Sequence, residues 1–187
     1  MNSRLLVVAG LTASVLVPPF ASVPLASAQT RDLSRVRILA VAPFADYDPT
    51  TRPLAEGGAA RLSNLLRGGA FQIIEAQRVA TEMERAGVRP PDLISPSRTV
   101  ELGMRLGADA VLTGRVVQIY QELERERSDN GGGSFSLESR VAIDVRILEV
   151  GTRLILLQEE FRCNVPFLAV EAMECVVRAV AGRLRTR

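Results

Sequence analysis

The chain has 187 residues with no histidine, no tryptophan and two cysteines, and its 23 basic residues, all arginine, stand against 21 acids. Without histidine there is no Ser-His-Asp or Cys-His triad, no His-ligated zinc or haem, and no usual general base near neutral pH; two cysteines alone do not complete a structural zinc site. Charges of both signs alternate along the chain, which gives no basic surface for nucleic acid, and two Tyr with six Phe are a thin stock for a stacking platform.

Arg4 is the only charge ahead of an apolar run at 5–17. Pro18-Pro19 breaks that run, and small residues lead to Ala26-Ser27-Ala28. This is the order of a positive n-region, an h-region and an A-x-A cleavage site. The run is too short to cross about 30 Å of hydrocarbon as a helix. Residues 1–28 therefore read as a cleavable signal peptide, with a mature N-terminus at Gln29. No cysteine stands at that site to carry a lipid. The mature protein is expected free in the periplasm, with secretion or association with the outer membrane as other destinations. Removing 28 residues from 187 leaves 159, enough for a single domain over 29–187 with its own core.

Residues 37–44 open that domain with an unbroken apolar run, the mark of a strand buried on both faces. Asp46, Tyr47, Asp48 and Pro49 read as a turn. A helix follows, with Thr51 as cap, Pro53 in its first turn and Glu56 facing the positive end of its dipole. Ala55, Ala59, Leu62 and Leu66 form one apolar face, and Gly68-Gly69 ends it. Residues 71–75 predict a second strand. Val79, Ala80 and Met83 mark a short helix ending at Gly87. Residues 88–95, with Pro90-Pro91, predict a loop. Ser97 opens a third helix through Val100 and Met104 to Gly107.

The period then changes to two. Residues 109–122 predict a long strand with a glycine at 114, and 128–134 a flexible connection. Residues 135–148 give the clearest strand: Val141, Ile143, Val145 and Ile147 point one way, Arg140, Asp144 and Arg146 the other. Gly151-Thr152 turns into a fifth strand at 153–162. Asn164 and Pro166 begin a closing helix to about Arg185, with Val170, Met173, Val177, Val180 and Leu184 as its apolar stripe. The order is β-α-β-α-α-β-β-β-α. It predicts an α/β fold: a mixed sheet of about five strands flanked by helices, parallel in its first half and an antiparallel meander in its second.

Four pieces carry a resemblance. Ile38-Leu-Ala-Val-Ala-Pro-Phe44 with Asp46 is similar to the opening strand of a periplasmic domain found in CsgG-type curli assembly and transport components, activator lipoproteins of penicillin-binding proteins, and the N-terminal domain of TolB. Residues 62–75, residues 102–114 and residues 141–150 resemble the next helix and strand, the helix leading into the third strand, and the strand before the final turn. The likeness spans about 38–155 and implies a fold and an envelope setting more than a task. The anchoring cysteine is missing, and the turn reads Gly-Thr where the family has Thr-Gly. Residues 121–134 are Glu/Arg-rich and then glycine-rich, unlike the alternating strands a channel inserts into a membrane. These departures from the family imply no stable membrane insertion once the signal is cleaved.

No site for catalysis, cofactor or metal is assigned. Asp46 and Asp48 could hold a hard cation at the end of the first strand, but further ligands are not evident, and a solvated turn accounts for them. The run at 131–133 precedes a strand, whereas a phosphate cradle needs a helix behind its glycines. No G-x-S-x-G elbow and no lysine for a Ser-Lys dyad are present. Glu122, Glu124, Arg125, Glu126 and Arg127 are either a solvated strand end or a ribbon that a partner grips. Cys163 and Cys175 stay open between a disulfide, which the exported compartment favours, and two packed thiols. A helix starting at Pro166 places them too far apart; one starting nearer Ala169 brings them within reach. The functional expectation is a non-enzymatic periplasmic accessory protein that binds other envelope proteins or copies of itself. The rival is a carboxylate-based hydrolase of envelope polysaccharide, disfavoured by the scarcity of aromatic rings for a sugar site.

Overall fold

The structure is a computed structural model that describes residues 32–46, 48–127, 133–166 and 168–185. The expected signal peptide, Tyr47 and residues 128–132 of the expected flexible connection lie outside the described residues. β1 (Ile38–Val41) sits inside the sheet because small and branched side chains can be covered from both sides: Leu39, Ala40, Val41 and Ala42 are all buried. It pairs in parallel with β2 (Gln72–Ile74) on one side and with β3 (Ala110–Arg127) on the other. β3, β4 (Gly133–Glu149) and β5 (Ile155–Val165) form the antiparallel meander, so the five strands lie in the order β2-β1-β3-β4-β5.

Two helices cover one face. α1 (Arg52–Leu66) turns Ala55, Ala59, Leu62 and Leu66 inward, and α4 (Ala169–Arg185) adds Met173, Val177, Val180 and Leu184. Beneath them Val141, Ile143, Val145 and Ile147 of β4 are fully buried. The opposite face carries α2 (Ala76–Ala86) and α3 (Pro96–Leu106), which close over Ala40, Ala42, Ile74 and Val111. Left-handed Gly87 and Gly107 end these two helices, as glycine does where φ must be positive. At the entrance of the sheet, the Asp109 carboxylate accepts the N–H groups of Arg37 and Ile38, both at 2.9 Å, and so ties the start of β1 to β3.

Several local expectations need correction. The segment expected as a loop contains a 3-10 turn, Pro90–Ile94, because the Arg89 N–H and the Asp92 carboxylate bond each other across the two prolines. The third helix begins at Pro96, one residue earlier than Ser97. Thr51 does not cap α1 with its side chain; its hydroxyl donates to Asp46 at 2.6 Å, and Glu56 lies beyond the first turn. β3 runs on to Arg127, and Gly133 and Ser134 belong to β4 rather than to a connection. β5 starts at Ile155 and continues to Val165, so the closing helix begins at Ala169, not at Asn164 or Pro166. Val170 is more than half exposed and drops out of the apolar stripe. The later helix start leaves a short reversal in which the sulfurs of Cys163 and Cys175 are bonded, with Cα atoms 6.0 Å apart.

Candidate functional site

The cover on the second face stops part-way. α2, α3 and the 3-10 turn reach as far as Arg146; beyond it, the outward residues of β3, β4 and β5, apart from the buried Ala142, are exposed or half-buried. The register fixes what stands there. Thr113, Arg146 and Gln158 form one cross-strand row; Arg115, Asp144 and Glu160 the next; Gln118, Ala142 and Arg162 a third; Tyr120, Arg140 and Asn164 a fourth. Four arginines share the face with carboxylates. Arg115 approaches Asp144 at 3.7 Å, Arg140 approaches Glu138 at 3.4 Å, Arg162 holds Glu160, and Asn164 donates to Glu138. Those two bonds hold the Glu138 carboxyl below the usual carboxylate range, Asn164 contributing more than Arg140. The Tyr120 hydroxyl donates to Glu122 at 2.7 Å, which raises its pKa.

At the covered end of this face is a cleft of about 240 Å³. Its apolar wall is Ala45, Pro90, Leu93 and Ile94, its floor is Thr113 and Gly114, and its polar side is Arg115, Asp144, Arg146 and Gln158. The wall is held by one carbonyl with two donors: Leu93 accepts from the buried Thr99 hydroxyl at 2.8 Å and from Arg146 Nη2 at 2.6 Å. The same Nη2 donates to the Ile94 carbonyl at 3.0 Å. Half-burial lowers the pKa of Arg146 from its ordinary value, with Asp144 acting in the opposite sense. Sequence reasoning placed Arg146 and Asp144 on the outward side of β4 but did not bring them together with the 3-10 turn, because nothing local links residues 93–94 to 146.

Of the residues singled out as a contact ribbon, Glu122 lies on β3 opposite Glu138, next to Tyr120. Glu124, Arg125, Glu126 and Arg127 continue the same strand, paired in register with Ser136, Phe135, Ser134 and Gly133. The ribbon therefore runs out from the bare face as one antiparallel pair. Asp46 and Asp48 are occupied within their own turn. Asp46 accepts the Asp48 N–H and the Thr51 hydroxyl, and Asp48 accepts the Thr50 N–H and hydroxyl, which lowers the Asp48 pKa. Among the described residues no group of three or more His, Cys, Asp or Glu is placed to hold a metal ion. Among them, too, no helix is long and apolar enough to cross a membrane.

No family model matches the chain, and no curated protein matches it. Solved structures do. The PelC dodecamer of Paraburkholderia phytofirmans is 18% identical with a TM-score of 0.51, over 84% of this chain and 94% of that one. Lipoprotein GNA1162 of Neisseria meningitidis is 17% identical with a TM-score of 0.48, over 81% and 99% of the two chains. LpoB of Escherichia coli is 12% identical with a TM-score of 0.44, over 86% and 81%. The class this defines is an α/β protein with a five-stranded mixed sheet. Within it the chain is similar in fold to PelC across nearly all of PelC's length, and at this identity the likeness is one of fold alone.

Proposed function

We propose that this chain is a non-enzymatic accessory or assembly protein of the bacterial cell envelope. It works in the periplasm and binds other envelope proteins through the bare face of its sheet and the ribbon that extends from it. The carrying observation is that face: three adjacent strands present arginines, carboxylates, amides and Tyr120 in register, with no helix among the described residues over them beyond Arg146. Antiparallel sheets commonly leave one polar face in water; what supports a partner here is the concentration of arginines with Tyr120 in register on that face, side chains that interfaces favour. The signal-like N-terminus supports the compartment. PelC, which shares the fold, is a dodecamer, and association of this chain with its own copies belongs to the same proposal. The opening strand and the helix into β3 are CsgG-like in sequence, and the proposed role calls on neither a membrane-spanning hairpin nor a lipid anchor. The curli system is one of the envelope systems it could serve.

Affinity capture from envelope extract, set against the Arg140→Glu, Arg162→Glu double variant, tests this reading. Both side chains are solvent-facing, so the variant is expected to lose its specific partners and to stay folded, with a melting temperature lowered only by the new like-charge contacts to Glu138 and Glu160. Equal capture by both proteins would move the binding surface elsewhere. Release of sugar ends from envelope polysaccharide, abolished by Asp144→Asn, would replace the reading with hydrolysis by carboxylates.

A further inference from the structure

We infer that the cleft between the 3-10 turn and strands β3 to β5 is a binding site for a carboxylate carried on a short apolar stem. The charge balance points to an anion of single charge. Arg115 and Arg146 both line the cleft, against one lining carboxylate, Asp144. Asp144 lies 3.7 Å from Arg115, near enough to offset its charge and too far for a hydrogen bond, so the Arg115 guanidinium keeps its donors. Glu160, next across the sheet, is already held by Arg162. Arg146 is anchored through Nη2 alone among the described residues, with both bonds going to neutral carbonyls. Its Nε and Nη1 hydrogens remain for a ligand, and no carboxylate among the described residues is bonded to it. Half-buried and fixed in place, this guanidinium is oriented before any ligand arrives, which favours binding by removing an ordering cost.

The other wall selects the stem. Pro90 and Ile94, backed by the almost fully buried Ala45 and Leu93, offer an apolar surface beside the arginines, and Ile94 is nearly half exposed. Gly114 forms the floor where β3 passes over Phe44. A volume of about 240 Å³ lies below the usual range of drug-sized pockets, so the site suits a small acid or one chain-terminal residue rather than a folded epitope. An apolar residue bearing a free carboxyl, as at the C-terminus of a partner protein, has this chemistry, and so does a short branched acid. That the carboxylate belongs to a protein rests on the proposed partner-binding role; the site itself does not.

Isovalerate is the probe. Nε–H signals of ¹⁵N-labelled arginine in the full mature chain are followed by NMR as isovalerate is added, with isovaleramide as the neutral isostere. Saturable shifts at Arg115 and Arg146 are expected with isovalerate and not with isovaleramide. Arg115→Gln is expected to weaken binding about tenfold, the loss of a charged hydrogen bond, while its unfolding midpoint stays unchanged, because Arg115 is a loosely paired surface residue. An acetylated tripeptide ending in leucine with a free carboxyl, compared with its C-terminal amide, then identifies the source. Binding of the free peptide supports a protein C-terminus; binding of isovalerate alone supports a small acid in the same site. No saturable shift with either acid, equal shifts with isovaleramide, or unaltered affinity in Arg115→Gln would overturn the inference. Failure of the capture experiment with intact isovalerate binding would remove only the protein partner.

Discussion

Gly114 and Arg153 show how single positions are fixed by contacts that neighbouring sequence does not display. A Cβ on Gly114 would stand 2.4 Å from the Phe44 ring, and Phe44 is fully buried with nowhere to retreat. A glycine inside a strand signals such a close approach, but the sequence does not say that the approaching group is Phe44. Gly114→Ala is expected to cost about 1–3 kcal/mol through overpacking, measured by urea unfolding. The same change beside Phe44→Leu should cost less than the two single effects combined, since one clash underlies both. Arg153 is the one non-glycine among the described residues with positive φ, at 60°. In the turn Gly151-Thr152-Arg153 the left-handed position falls two residues beyond the glycine. Arg153 is exposed, so Arg153→Gly should raise stability by about 0.5–1 kcal/mol, the relief of backbone strain less the added chain entropy of glycine. A lower unfolding midpoint would show that the arginine side chain contributes more than its backbone costs.

At the scale of elements, periodicity made most of the fold legible. The alternation at 141–147 and the four-residue spacing from Ala55 to Leu66 reflect burial against a core, and the structure buries those side chains. What failed was punctuation. Pro90-Pro91 reads as an irregular loop, yet prolines suit the first residues of a 3-10 turn, and here Pro90 belongs to one wall of the cleft. The open face was half legible: β4 alone shows its polar side, but only the register with β3 and β5 assembles rows of charge. The start of α4 was misplaced because Pro166 is a good first residue for a helix, whereas β5 runs on to Val165 and α4 begins only at Ala169. That later start decides the cysteines. The bridge between Cys163 and Cys175 spans 12 residues and joins an edge strand to the first half of α4. Two free thiols in denatured, unreduced protein would exclude it; none is the expected titration. Replacing both cysteines by serine should destabilise by roughly 2–3 kcal/mol.

A second link between elements responds to pH. Glu174 on α4 accepts from Arg61 on α1 at 2.9 Å and from Arg178 at 2.9 Å. The bond from Arg61 is the main cause of its lowered pKa. A carboxyl whose folded pKa is depressed stabilises the fold above its unfolded value, about 4.3 for glutamate, and loses that contribution as pH falls through the folded value. The arginines stay charged throughout. Glu174→Gln should therefore lower stability at pH 7 by less than about 1 kcal/mol, since the cluster is largely solvent-exposed. The gap between variant and wild type should narrow steadily as pH falls below the unfolded value. A gap that persists in acid would mean that the variant loses packing rather than charge.

For the whole molecule the question is whether the β3–β4 ribbon could line a pore, as a spanning hairpin would. Lipid-facing strands need about 9–11 residues with one continuous apolar face. In the described part of the ribbon neither face offers this. On the side of the helix-covered core, Ile119 and Leu123 are separated by Gln121, which donates to the Ser139 hydroxyl at 3.2 Å. On the other side Tyr120, Glu122, Glu138 and Arg140 lie together, bonded among themselves. An arginine at the bilayer midplane costs about 2–4 kcal/mol, and exposing the apolar side instead would strip α4 from Val141 and Ile143 beneath it. Oligomers of this chain, even rings, would thus keep the ribbon in water, where its charges can meet a partner. The expected outcome is no conductance when purified mature protein is added to planar bilayers, at neutral pH and with anionic lipid included. Reproducible unitary steps would overturn this, and their loss in a chain shortened across residues 121–138 would assign them to the ribbon.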